Sequence, residues 1–191
     1  MADELPLSEH TLKGKAAVLL VLSREGGDLR LLLTRRTKTL SAHAGEVALP
    51  GGKWEAGDAD LYATALRETW EEVGIPPRQL VRVAALKAER TRRGVEVCPF
   101  IAEWGTPGEL QLCQHEIESA QWFDLEFLRR DQRVCTQVFP RHSPELWAPV
   151  YEIGGYQVWG LTSRVLVSFA NDYLGLSLNR QHSAPEEIFT G

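Results

Sequence analysis

The chain has 191 residues, 43% of them hydrophobic and 25% charged, a balance carried by a globular domain and not by a disordered or fibrous chain. A formal net charge of −5 excludes the broad basic surface of a nonspecific nucleic-acid binder. No apolar run approaches the ~20 residues that span a bilayer, and Cys98, Cys113 and Cys135 are too scattered for a zinc site or a disulfide framework, so they read as reduced thiols of a cytoplasmic protein.

Residues 1–13 are polar and expected at the periphery, with no apolar leader. Residues 16–22 are continuously apolar and predict a buried strand. Glu25-Gly26-Gly27-Asp28 is a turn, and 29–34 is the returning strand. A polar, basic loop follows from Arg35 to Ala44, then a short extended stretch at 46–49 that Pro50-Gly51-Gly52 stops. Asp60 is suited to cap a helix over about 61–73, which Gly74 and Pro76-Pro77 end. Ala63, Leu66, Trp70 and Val73 predict its buried stripe, leaving the glutamates largely off the core side. Strands are expected at 81–88 and 95–104 around the basic turn 89–94, with a further short strand at 121–123. Asp124 is suited to cap a short helix near 125–130. Gly154-Gly155 marks a hairpin between 151–153 and 157–159, and 161–174 is apolar at helical spacing. The tail from 179 to 191 has no core pattern and is expected to lie loose. The sum is a single domain over 1–191, a mixed sheet with helices against it, of α/β or α+β class.

Chemistry concentrates in Arg67-Glu68-Thr69-Trp70-Glu71-Glu72-Val73-Gly74-Ile75, just beyond Gly51-Gly52. On a helix Glu68 and Glu72 share a face, with Glu71 beside them. Like charges this close repel, and a hard divalent cation with oxygen ligands is what would hold them together. A charged helix that only keeps its surface solvated is the plainer alternative.

The stretch from Gly52 to Ile75 resembles the Nudix hydrolase signature: a glycine, five residues, a glutamate, seven residues, then Arg-Glu-aliphatic-x-Glu-Glu-x-Gly-aliphatic. Three positions depart from it. Asp58 stands for the first glutamate, eight residues instead of seven precede Arg67, and Thr69 replaces an aliphatic residue. The resemblance implies the Nudix α/β/α sandwich, Mg²⁺ or Mn²⁺ held by Glu68, Glu71 and Glu72 with the Gly51 carbonyl, and Arg67 orienting the carboxylates. Glu116 lies in a region that supplies a further ligand or a base in such enzymes, and Glu118 competes with it for that role.

Upstream, residues 32–52 resemble the element of the coenzyme A pyrophosphatase branch, with Ser41 at its arginine and Leu49 at its phenylalanine. This implies metal-dependent cleavage of coenzyme A to 3′,5′-ADP and 4′-phosphopantetheine, extending to acyl or oxidised forms. Other diphosphates (ADP-ribose, a dinucleotide, a nucleoside triphosphate) and a catalytically idle nucleotide sensor are the alternatives. The partner is then a small molecule, with neither nucleic acid nor membrane, and a homodimer is compatible. The basic residues Arg35, Arg36, Lys38, Arg90, Arg92 and Arg93 are candidates for pairing with phosphate. His43 is a candidate for hydrogen bonding to phosphate, with simple packing as its alternative.

Overall fold

The computed structural model describes residues 9–25, 27–39, 43–140 and 146–189. Ser41, a departure from the coenzyme A element, lies outside them. A short helix α1 (Glu9–Leu12) leads into β1 (Ala16–Glu25), and β2 (Asp28–Arg36) returns antiparallel to it. Leu12 is buried in the core, so the first thirteen residues are not all peripheral as expected. Beyond Leu22 and Leu31 the two strands part. β3 (Val47–Ala48) pairs with β2, and β4 (Gly51–Lys53) pairs with β1 at Val18↔Gly51 and Ala17↔Gly52. The Pro-Gly-Gly stretch, expected only to stop a strand, itself carries one.

Helix α2 (Leu61–Val73) has the expected bounds. Asp60 caps it by accepting from Ala63 N at 2.7 Å, and Gly74 ends it in the left-handed region at φ 74°. A 3₁₀ turn (Pro77–Gln79) precedes β5 (Leu80–Ala85), β6 (Glu89–Arg90) and β7 (Glu96–Trp104). β7 runs parallel to β1, and β8 (Ile117–Asp124) covers the far edge of β2. These eight strands form one mixed sheet.

After α3 (Glu126–Arg129) come β9 (Arg133–Phe139), β10 (Leu146–Ile153), β11 (Tyr156–Val158), α4 (Gly160–Asp172) and β12 (Glu186–Ile188). The second sheet has the order β11-β10-β9-β12. Leu125, not Asp124, stands at the N-cap of α3; Asp124, one residue earlier, accepts from Glu126 N at 2.7 Å. β12 falls in the tail expected to lie loose. It pairs parallel with β9, from Glu186↔Thr136 to Ile188↔Val138.

The core has two halves, one on each face of the main sheet. Ala17, Leu19, Val21 and Leu32 meet Leu61, Ala65 and Val73 of α2. Leu20, Leu22, Leu31 and Leu33 meet Tyr151, Tyr156, Val165 and Phe169. A helix therefore covers one face, and α4 with the second sheet covers the other, so the expected sandwich carries an added β layer. No helix among the described residues is long and apolar enough to cross a membrane.

Candidate active site

Helix α2 is rotated from the expected phase. Its buried residues are Leu61, Thr64, Ala65, Thr69, Glu72 and Val73, while Trp70 is 48% exposed. The two threonines could turn inward because their hydroxyls are satisfied there. Thr69 Oγ1 donates to Ala65 O at 2.7 Å, and Thr64 Oγ1 donates to Asp58 Oδ2 at 2.9 Å. This rotation lays Glu68 and Glu72 against β4. A Cβ on Gly52 would stand 2.3–2.7 Å from the Glu68 carboxylate atoms, so only glycine leaves that carboxylate room. Glu72, expected off the core side, is 3% exposed. Gly51 N donates to its Oε2 at 3.2 Å, and Arg36 Nη1 donates to its Oε1 at 3.1 Å.

Arg67 is the hub of the outer side. Its Nε and Nη2 grip Asp58 at 3.0 and 3.1 Å, Nη2 also donates to Lys53 O at 3.1 Å, and Nη1 lies 3.0 Å from both Glu68 and Glu71. Read from sequence only as a departure, Asp58 thus fixes the arginine that orients the glutamates. Burial pushes the Asp58 carboxyl up, but the hydrogen bonds from Arg67, Glu55 N and Thr64 outweigh it and leave its pKa below the usual value. The Asp58 hydrogen bond raises the pKa of Arg67, against burial.

The inner carboxylates are under-compensated. Burial pushes Glu72 up to about 8, more than Arg36 and Gly51 N–H offset, with Glu68 and Glu116 adding repulsion. Burial likewise raises Glu68, against Arg67. Asp58, Glu68, Glu71, Glu72 and Glu116 face two guanidinium groups, those of Arg36 and Arg67. Such an all-oxygen, anion-rich donor set fits a hard divalent cation. Among the described residues no three acidic, histidine or cysteine side chains converge tightly enough to hold one as they stand; Glu68 and Glu71 are paired with Arg67 and Glu72 with Arg36.

The loop after β7 brings Glu116 in. Gln111 N and Cys113 N donate to Val73 O and Glu72 O, both at 3.0 Å, fastening the loop to the end of α2. Glu116 Oε2 lies 3.9 Å from Arg36 Nη2, and Thr37 N donates to Glu116 O at 2.8 Å. Glu118 is the residue skipped where the β2–β8 register shifts.

Strand alternation separates Arg35 from Arg36. Arg36 shares a face with Leu32 and reaches α2. Arg35 shares one with Leu31 and Leu33, lies over the Tyr156 ring at 4.4 Å and donates to Gly155 O. Lys38 is exposed on the following loop. His43, at φ 57°, pairs with Glu46 through Nδ1 at 2.8 Å. Arg90 pairs with Glu96 at 3.4 Å, and Arg92 lies over the Phe189 ring at 5.5 Å. Taking Arg35 and Arg36 alike as phosphate partners missed this partition, which the period-two alternation of β2 would have revealed.

The model of the NUDIX domain matches residues 13–141. The chain belongs to the Nudix hydrolase family. Nudix hydrolase 22, chloroplastic, of Arabidopsis thaliana is 34% identical over 168 residues, 82% of this chain. The chain spans about half (54%) of that relative's length. The protein named Uncharacterized Nudix hydrolase NudL of Citrobacter koseri is 36% identical over 160 residues, 82% of this chain and 81% of the relative. Among solved structures, a binary complex of the C. elegans Ap4A hydrolase superposes with a TM-score of 0.52 at 26% identity, covering 61% of this chain and 84% of that one. The Nudix match spans both the acidic helix and residues 37–46.

Proposed function

We propose that this Nudix protein is a metal-dependent hydrolase of the diphosphate bond of coenzyme A, yielding 3′,5′-ADP and 4′-phosphopantetheine. The observation that carries the hydrolytic reading is the seating of Glu68 and Glu72 against Gly51 and Gly52, with Arg67 and Arg36 on either side. Glu68, Glu71 and Glu72 are the proposed ligands of Mg²⁺ or Mn²⁺. Such a metal, when bound, polarises a phosphoryl oxygen and lowers the pKa of water. Arg67 holds Glu68 and Glu71 in register, and Asp58 holds Arg67. Glu116 is the proposed further ligand or base.

The coenzyme A assignment rests on the resemblance of residues 32–52 and on where that segment lies. Thr37 N and Oγ1 donate to Glu116 O and His115 O, at 2.8 and 3.1 Å, and Arg36 N donates to Glu46 O at 3.0 Å. Arg36 and Thr37, with Glu46 paired to them, are therefore fastened beside the acidic face. Leu49, at the element's phenylalanine position, is buried and keeps its apolar role. A substrate with a diphosphate and a separate 3′-phosphate calls for cations beyond the metal, and Lys38, Arg90, Arg92 and Arg93 are the proposed sources. A dinucleotide substrate is the second reading, favoured by the likeness to the Ap4A hydrolase.

Product analysis by mass spectrometry tests both. The protein is incubated with coenzyme A, ADP-ribose, diadenosine polyphosphates or nucleoside triphosphates, with and without Mg²⁺ or Mn²⁺. Metal-dependent 3′,5′-ADP and phosphopantetheine are expected, and Glu72→Gln should reduce their formation at least ~10³-fold. Turnover of a different diphosphate alone refutes the coenzyme A assignment but keeps the hydrolase. No turnover of any substrate, with metal present, refutes both.

A further inference from the structure

Arg36 reaches the acidic face from the side opposite Arg67. The β2–β8 register steps from Arg35↔Ser119 to Arg36↔Ile117, so the ladder is irregular where this side chain leaves it. Its Nη1 lies 3.1 Å from Glu72 Oε1 and its Nη2 3.9 Å from Glu116 Oε2. Its Nε is buried and donates to no group among the described residues. An arginine seated by hydrogen-bond geometry would engage Nε as well, as Arg67 does with Asp58. Arg36 is seated by two carboxylates instead, one of them almost wholly buried.

We propose that Arg36 is a positioning residue that stands in for a divalent cation, keeping the buried Glu72 carboxylate aimed at Gly51 and competing with the metal for it. This rests on the reading of Glu72 as a metal ligand. A buried carboxylate left without a partner is strongly unfavourable. Gly51 N–H takes one oxygen of Glu72 and Arg36 takes the other. A cation arriving at that carboxylate meets a guanidinium a few ångströms away, and like charges in a poorly solvated site repel. Arg36 therefore preorganises Glu72 at the expense of metal affinity, and the coupling between the two is reciprocal.

The test compares wild type, Arg36→Met, Arg36→Lys and Arg36→Met/Glu72→Gln by thermal unfolding in alkaline buffer, with EDTA or with saturating Mn²⁺. Free Mn²⁺ is titrated in parallel by its electron paramagnetic resonance signal. In EDTA, Arg36→Met should lower Tm by about 5 °C, and Arg36→Lys should fall between it and wild type. Saturating Mn²⁺ should close most of that gap, and Arg36→Met should bind Mn²⁺ about tenfold more tightly than wild type. In EDTA the double variant should regain what the single variant loses. A gap of equal size with and without Mn²⁺, weaker Mn²⁺ binding by Arg36→Met, or a double variant no better than the single one would overturn the stand-in role. Wild type that Mn²⁺ neither binds nor stabilises overturns the proposed function with it, whereas stabilised wild type with a constant gap overturns the stand-in alone.

Discussion

Glu72 occupies a helix position where an apolar side chain would ordinarily pack, and that burial links its protonation to folding. Its carboxyl titrates at about 8 in the folded chain, against 4.5 without the fold. The folded state thus holds the proton more tightly. The resulting stabilisation is complete below about pH 4.5 and is lost as the pH rises through 8, a swing on the order of 5 kcal/mol. Glu68 shifts in the same direction. Asp58 acts in the opposite sense, but in a more acidic window, below its usual value of 3.8. In EDTA the urea midpoint should therefore fall between about pH 5 and pH 8, and Glu72→Gln should remove most of that slope. A wild-type midpoint that stays flat across this interval would contradict the burial of an under-compensated carboxylate.

At the scale of elements, two adjacent glycines in β4 serve different ends, and substitution separates them. A Cβ on Gly51 would stand 2.3 Å from Ala17 O and 2.7 Å from Val18 Cα, at a φ of 151°. Backbone cannot yield there, so Gly51→Ala should cost about 3 kcal/mol of stability. The three atoms nearest to a Cβ on Gly52 all belong to the Glu68 carboxylate, the far end of a flexible side chain. Gly52→Ala should keep unfolding free energy within about 1 kcal/mol of wild type and lower turnover at least ~100-fold by displacing that carboxylate. Equal loss of stability in both variants, measured by denaturant unfolding, would refute the distinction. What was legible in the sequence follows the same division. The bounds of α2 were readable because Asp60 and Gly74 punctuate them locally. Its phase was not, since Thr64 and Thr69 are inward only once their hydroxyls find partners in the fold. The carboxylate motif was readable from spacing, but the buried depth of Glu72 depends on β4, which pairs through glycines that carry no apolar signal. β9 escaped because Arg133 opens it and Thr136 and Gln137 break its apolar run, yet all three are buried. The Arg133 guanidinium lies against Asp131, Thr136 and the Trp147 ring, partners that local pattern does not reveal.

At the scale of the molecule, the two sheets divide the work. The acidic site belongs to the main sheet and α2, whereas the second sheet and α4 back the opposite face. The C-terminal segment closes the second sheet. Thr136 N donates to Pro185 O at 2.9 Å and Phe189 N to Val138 O at 2.8 Å, with Phe189 against Phe139 and Arg180 paired with Glu186. Asn171 on α4 exchanges hydrogen bonds with Leu178 at 2.7 and 2.9 Å, so the chain up to 178 stays anchored without the strand that follows. Removal of residues 180–191 would expose the edge of β9, where Val134 is already open to solvent. It also takes away the ring beneath Arg92, a proposed phosphate partner on the β6–β7 turn. Tm should fall by about 5 °C, and the shortened chain should aggregate more readily on heating. kcat should remain within about twofold, because among the described residues no group of the acidic site leans on the tail, while KM should rise as Arg92 loses its support. A tenfold fall in kcat with KM unchanged would mean that the second sheet holds the catalytic face directly, and would refute the division of labour argued from the two halves of the core.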